Sequence, residues 1–149
     1  MVISKTSKAA KTSEISKVSA RERYFYATGG RKTAQALVRL RMKRGSFTVN
    51  GKEYAQYFRL PNHQSTAVSP LILTKLFDEA SAEIKVKGGG LHAQAEAVRN
   101  AIAKALVKFK QDLKKSLRRE GFITRDSRMV ERKKYGLKKA RRAPQWAKR

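Results

Sequence analysis

Apolar and polar positions change rhythm several times along this chain, and each change predicts an element. In "TAQALVRLRM", Ala34, Ala36, Val38, Leu40 and Met42 share one face at period two, opposite Thr33, Gln35, Arg39 and Arg41. That alternation predicts a half-buried strand, with Leu37 the one apolar residue on the polar side. Lys43–Ser46 reads as a turn around Gly45, and "FTVNG" as a short strand ending in an Asn50-Gly51 turn. "KEYAQYF" reads as one or two helical turns. Ser69-Pro70 reads as the opening of a helix, Ser69 as its cap and Pro70 in the first position, with Leu71, Ile72, Leu73, Leu76 and Phe77 as its apolar face.

"SAEIKVKG" alternates again, Ala82, Ile84 and Val86 against Glu83, Lys85 and Lys87. Val98, Ala101, Ile102, Ala105, Leu106 and Phe109 then recur at three- and four-residue spacing, the mark of a packed helix. "DLKKSLRRE" extends that helix to Gly121, a suitable residue just past its end after a basic last turn. Strands and helices mix without strict alternation and without an internal repeat, so the expected class is α+β.

The two ends differ from this middle. The first 23 residues carry six Lys or Arg against Glu14 and Glu22, with no sustained apolar face, and read as a disordered extension. An organellar transit peptide is the alternative, since such leaders are also rich in Ser and poor in acid. The folded domain is expected over 24–124 and an extended basic tail over 125–149. That tail holds eleven Lys or Arg against Asp126 and Glu131. Charge of that density repels itself, and so few apolar residues cannot offset the entropy of ordering the backbone.

Charge then narrows the partners. Lys and Arg number 36 against 11 acids, a formal net charge of +25, which favours a polyanion: nucleic acid or an anionic membrane face. No apolar run reaches the 18 residues a bilayer span needs. Cysteine is absent, which excludes disulfides, thiolate zinc sites and cysteine nucleophiles.

Two glycine sites adjoin cations. "TGGRKT", Thr28–Thr33, lets a ligand approach the backbone within reach of Arg31 and Lys32, or is an ordinary turn entering a strand. "VKGGGLHAQ", Val86–Gln94, runs from a strand into a helix N-terminus that suits a phosphate. It matches neither the Walker loop nor the dinucleotide fingerprint. His92 and Glu96 lie four apart on one helix face, most simply as an exposed pair, and no second histidine stands at ligand spacing from them. No catalytic or metal cluster is evident, so no enzyme activity, metal or cofactor is expected. Tyr54, Tyr57 and Phe58 are better explained by burial than by stacking on bases. Tyr135 and Trp146, inside the basic tail, are better placed to stack on a base or ribose.

Taken together, "TGGRKTAQALVRL", "FTVNGKEYAQYF", "VKGGGLHAQAEAVRNAIAKALV" and "GFITRDSRMVERKKYGLKKARRAPQWAKR" resemble the family of the ninth protein of the small ribosomal subunit. The resemblance covers about Tyr24 to Arg149. It implies a fold like domain two of the fifth small-subunit ribosomal protein, a mixed sheet packed against helices with an extended basic tail. It implies binding to small-subunit rRNA in the head, beside neighbouring head proteins. The matching positions expected on rRNA are Arg31, Lys32, Lys87, Gly88, Gly89 and Gly90, then Arg128, Arg132, Lys133, Lys134, Tyr135, Lys138, Lys139, Arg141 and Arg142 in the tail. Lys148 and Arg149 match the family's terminal pair, and the resemblance implies that they would contact the anticodon stem-loop of peptidyl-site tRNA.

The chain departs from the family where Gly30 precedes Arg31, since two arginines are common there. It departs again at Ala147, where Ser is common after the aromatic residue. The resemblance implies no membrane or small-molecule partner and a bacterial cytoplasmic ribosome, with an organellar ribosome as the alternative. The rival readings are a DNA-compacting or nuclear protein, with "KKYGLKKARR" as a localisation signal, and an RNA-modifying enzyme without recognisable motifs.

Overall fold

The computed structural model describes residues 24–148. The expectations for 1–23 and for Arg149 lie outside the described residues. In chain order the elements are β1 (Phe25–Arg31), β2 (Ala34–Arg41), β3 (Phe47–Val49), β4 (Lys52–Glu53), α1 (Tyr54–Tyr57), α2 (Pro61–Leu73), β5 (Ser81–Lys87), α3 (Leu91–Phe109) and α4 (Leu113–Arg119). The strands form one mixed sheet in the order β1-β2-β5-β3-β4. Only the β3–β5 pair is parallel, which the crossover through α1 and α2 makes possible. The class is α+β, as the patterning predicts.

Period-two patterning sets which face is covered. Ala34, Ala36, Val38 and Leu40 of β2 and Ala82, Ile84 and Val86 of β5 are buried, in adjacent register from Ala36–Val86 to Leu40–Ala82. α3 lies over them with ten buried positions, seven of them alanine or valine. Small side chains bring the helix close to the sheet. Against Gly29 of β1 the approach is closest, for a Cβ there would stand 2.3 Å from the Ala97 carbonyl oxygen and 2.5 Å from the Ala101 nitrogen. Gly29 is therefore required by packing rather than by a ligand. Phe58, Leu71, Ile102, Leu106 and Leu117 complete the core, and Tyr54, half-buried, packs edge-on against the stacked rings of Phe47 and Phe77.

The Asn50-Gly51 turn forms as expected, with Asn50 at φ 50° and Gly51 at φ 80°. Asn50 also binds β5: its Nδ2 donates to the Val86 carbonyl at 3.0 Å, and its Oδ1 accepts from the Val86 N–H at 2.9 Å. Lys52–Glu53 pairs back on β3 before α1 begins, so only part of "KEYAQYF" is helical.

Two expectations fail. The helix expected to open at Ser69-Pro70 begins at Pro61, which takes the first position, and Pro70 sits inside it. Proline at that point withholds the N–H that Thr66 would accept. The Ser69 hydroxyl replaces it, donating to the Thr66 carbonyl at 2.9 Å. Of the expected apolar face, Leu71 is buried, but Ile72 and Leu73 are exposed.

The long helix also does not run to Gly121, because Lys110 is extended (φ −140°, ψ 113°) and separates α3 from α4. Nineteen helical residues span about 28 Å, already longer than a seven-residue strand of about 23 Å. Continued straight, the helix would leave the sheet, whereas the break folds Leu117 back into the core. Gly121 does follow the end of α4, its N–H bonding to Arg118 and the Phe122 N–H to Leu117.

Candidate nucleic-acid interface

The two glycine sites become one. Gly88 (φ 74°) and Gly89 (φ 63°) pack on the β1–β2 turn, where Cβ atoms would lie 2.6 Å from the Thr33 carbonyl oxygen and 2.9 Å from the Ala34 Cβ. Their immediate role is loop-on-loop contact. The contact brings the exposed Lys32 and Lys87 into one neighbourhood. Gly90, with open space around it, precedes α3, whose first turn carries no side-chain cap and no acid. The free N–H groups there favour negative charge.

A cleft of about 680 Å³ opens over β1, β2 and β5 beside α3. Cross-strand register lines up Thr28, Leu37 and Lys85 in one row, and Gly30, Gln35 and Lys87 in the next. Lys104 of α3 and Arg125 also line the cleft, and no acidic side chain does. Four cations around a floor of Thr28, Gln35 and Leu37 suit a phosphate backbone, with polar and apolar surface for sugar or base edges. Sequence patterning assigns Lys85 and Leu37 to the polar side of their strands. Lys104 and Arg125 join them only through the fold, with no signal in the chain.

Arg31, implied by the resemblance to face rRNA, is engaged by the protein's own acids and carbonyls. Its side chain is 13% exposed, with Nε 2.8 Å from Glu96 Oε2 and Nη2 3.1 Å from Asp126 Oδ2. Nη1 donates to the carbonyls of Arg128 (2.7 Å) and Asp126 (3.4 Å). With two carboxylates and two carbonyls around it, the guanidinium has little left for a phosphate. Arg128 turns back on Asp126, Nη2 to Oδ2 at 2.7 Å, while its backbone N–H donates to Oδ1 at 2.9 Å. The Arg128 side chain and backbone bonds, with the Arg128 and Arg31 charges adding, hold the Asp126 carboxyl well below its ordinary range.

Beyond Arg128, the described residues to Lys148 make no hydrogen bond or ion pair to the body. Arg132, Lys133, Lys134, Lys138, Lys139, Arg142 and Lys148 are exposed, as are Tyr135 (99%) and Trp146 (80%). Glu131 and Arg141 pair within the tail at 2.6 Å, and that bond lowers the Glu131 pKa. This exposed pair is weak and exchangeable.

His92 Nδ1 lies 3.7 Å from Glu96 Oε2, but the nearer partner of Glu96 is Arg31. The fold does bring a second histidine: His63 meets His92 edge-on at 5.5 Å, a proximity with no trace in their spacing. Among the described residues, no three His, Asp or Glu are grouped as metal ligands, and no helix is long and apolar enough to cross a membrane. Tyr57 and Phe58 are accounted for by packing, the Tyr57 hydroxyl donating to Gln94 Oε1 at 2.8 Å.

A small α+β body with an acid-free cationic cleft, continued by a cationic arm that has no core of its own, defines a nucleic-acid-binding structural protein. The family model for ribosomal protein S9/S16 matches residues 29–149. Over 128 residues the chain is 50% identical to the small ribosomal subunit protein uS9 of Thermotoga maritima, covering 84% of this chain and 96% of that protein. The uS9 proteins of Thermotoga petrophila and Thermotoga sp. strain RQ2 match with the same identity and coverage. The chain belongs to the ribosomal protein S9 family, and it is a structural ribosomal protein, not an enzyme.

Proposed function

We propose that the chain, by its family a structural constituent of the small ribosomal subunit, docks on the rRNA of the subunit head through the cationic cleft over β1, β2 and β5 and through the joined loops around Lys32 and Lys87. The observation that carries this reading is the cleft lined by Lys85, Lys87, Lys104 and Arg125 without an acid. The tail continues the contact. Arg128, Arg132, Lys133, Lys134, Lys138, Lys139, Arg141 and Arg142 lie along RNA phosphates, Tyr135 stacks on a base or ribose, and Lys148 with Arg149 meets the anticodon stem-loop of tRNA in the peptidyl site. Residues 24–124 act as the anchoring body and 125–149 as the arm, beside neighbouring head proteins on a bacterial cytoplasmic ribosome.

Distance supports this division. Twenty-five extended residues reach roughly 80 Å at about 3.3 Å each, well beyond the body, and Pro144 biases Ala143 towards an extended backbone.

Binding of the full chain to a head rRNA fragment, measured against salt, tests the anchoring surface. Each phosphate contact contributes about 0.7 to 0.9 to the log–log slope. Lys85→Gln, Lys87→Gln and Lys104→Gln should each flatten it by about that much, and unchanged slopes in all three would remove the cleft from the interface. Deleting Ala147–Arg149 should leave subunit assembly intact and weaken peptidyl-site tRNA. Wild-type tRNA affinity in the truncated subunits would refute the tail contact.

A further inference from the structure

We propose that Arg31 is a positioning residue that fixes where and in which direction the tail leaves the body. The root is stapled at successive points. Asn100, buried in α3, donates from Nδ2 to the carbonyls of Phe122 (2.9 Å) and Ile123 (2.8 Å), and Arg99 lies over the Phe122 ring at 5.4 Å. Arg125 Nη2 reaches the Lys32 carbonyl at 3.3 Å. Arg31 then closes the series, its guanidinium joining the end of β1 to Glu96 of α3 and to Asp126 and Arg128 at once.

A planar group with five N–H donors can bridge a helix, a strand end and a chain turn in one geometry. A lysine ammonium cannot span the same set. Arg31 is also the last tie: beyond Arg128, bonds to the described body cease. The rigid part of the chain thus extends four residues past the expected boundary at 124, and the arm swings from Met129 rather than from Arg125. A fixed root limits the directions an arm can sample, which lowers the ordering cost when it meets its target.

The mechanical claim stands on the free protein alone, and its consequence for RNA rests on the function proposed above. Spin labels on Lys114→Cys and Ser127→Cys, in a chain with no cysteine of its own, report the root, and a second pair on Lys114→Cys and Lys139→Cys reports the arm. The root distance distribution should be narrow in the parent, broad in Arg31→Gln, partly broadened in Arg31→Lys and narrow in Lys32→Gln. The arm distribution should be broad throughout. If Arg31→Gln misfolds by circular dichroism, Asp126→Asn removes one side of the same junction and should broaden the root with the body intact.

The RNA readout separates positioning from contact. Arg31→Gln should weaken rRNA binding by about three- to tenfold with an unchanged salt slope, whereas losing a phosphate contact would flatten the slope by about 0.7 or more. A root that stays narrow in both Arg31→Gln and Asp126→Asn overturns the inference, as does a flattened slope in Arg31→Gln. Failure of every variant, parent included, to bind the RNA would overturn the proposed function and leave the distance result to decide the clamp.

Discussion

Replacing Gly29 with alanine tests the contact that sets the body's geometry. The added Cβ would lie 2.3 Å from the Ala97 carbonyl oxygen and 2.5 Å from the Ala101 nitrogen, where ordinary contact begins near 3.4 Å. Both neighbours are α3 backbone, so no side chain can rotate aside and the helix must retreat about 1 Å from β1. Overpacking of this kind costs about 3 kcal/mol, at the upper end of the usual range. The backbone at Gly29 is not in the left-handed region, so alanine recovers up to about 1 kcal/mol by restricting the unfolded chain. The net loss of about 2 kcal/mol should lower Tm by about 8 to 16 °C for a folded body of about 100 residues. Gly90→Ala is the control, having nothing within 4 Å of its Cβ, and should stay within about 0.5 kcal/mol. Thermal denaturation followed at 222 nm reads both. If Gly29→Ala melted within 2 °C of the parent, the close approach of β1 and α3 would be wrong.

Other substitutions probe separate steps. Gly90→Asp should cap α3 and raise stability by a few tenths of a kcal/mol, yet weaken rRNA binding by placing a carboxylate where phosphate is expected; improvement in both would count against an anion there. Ser69→Ala should cost about 1 kcal/mol in the parent and close to nothing beside Pro70→Ala, whose restored N–H reaches Thr66, and a double-mutant cycle with no coupling would reject that substitution of donors. Asp126, its pKa depressed by Arg128 and Arg31, stabilises the root fully above the ordinary aspartate value of 3.8 and loses that contribution progressively as pH falls from there through its lower folded value. A carboxyl NMR titration with a midpoint at or above 3.8 would contradict this. Removing residues 129–149 should reduce the rRNA salt slope by about 3.5 if five tail cations engage single-stranded phosphates, and an unchanged slope would mean that the arm does not bind.

What could be read from the chain follows from how local each cause is. β2 and β5 were legible because one buried face imposes strict alternation, and the Asn50-Gly51 turn because its backbone demands those residues. The start of α2 was hidden: Pro61 and Pro70 both suit a first helical position, and a hydroxyl one residue away makes proline tolerable inside the helix. The break at Lys110 was hidden because Leu113 and Leu117 continue the helical spacing, and only the length of the sheet forbids a straight helix. The same limit applies to the site. Lys32, Lys87 and the tail cations are exposed, as a charged pattern suggests, while Arg31 looks identical to them in sequence and is committed to Glu96 and Asp126 by contacts 65 and 95 residues away. The glycines are conspicuous in the chain, but the packing that uses them is not: Gly29, Gly88 and Gly89 make room for the protein's own backbone and side chains.

The most direct test of the central claim is lysine reactivity in the free protein and in assembled small subunits, compared by acetylation and mass spectrometry. Lys85, Lys87 and Lys104 should react readily in the free chain and be protected in the subunit, where rRNA fills the cleft between them. Equal labelling of these three lysines in both states would contradict an RNA-binding cleft.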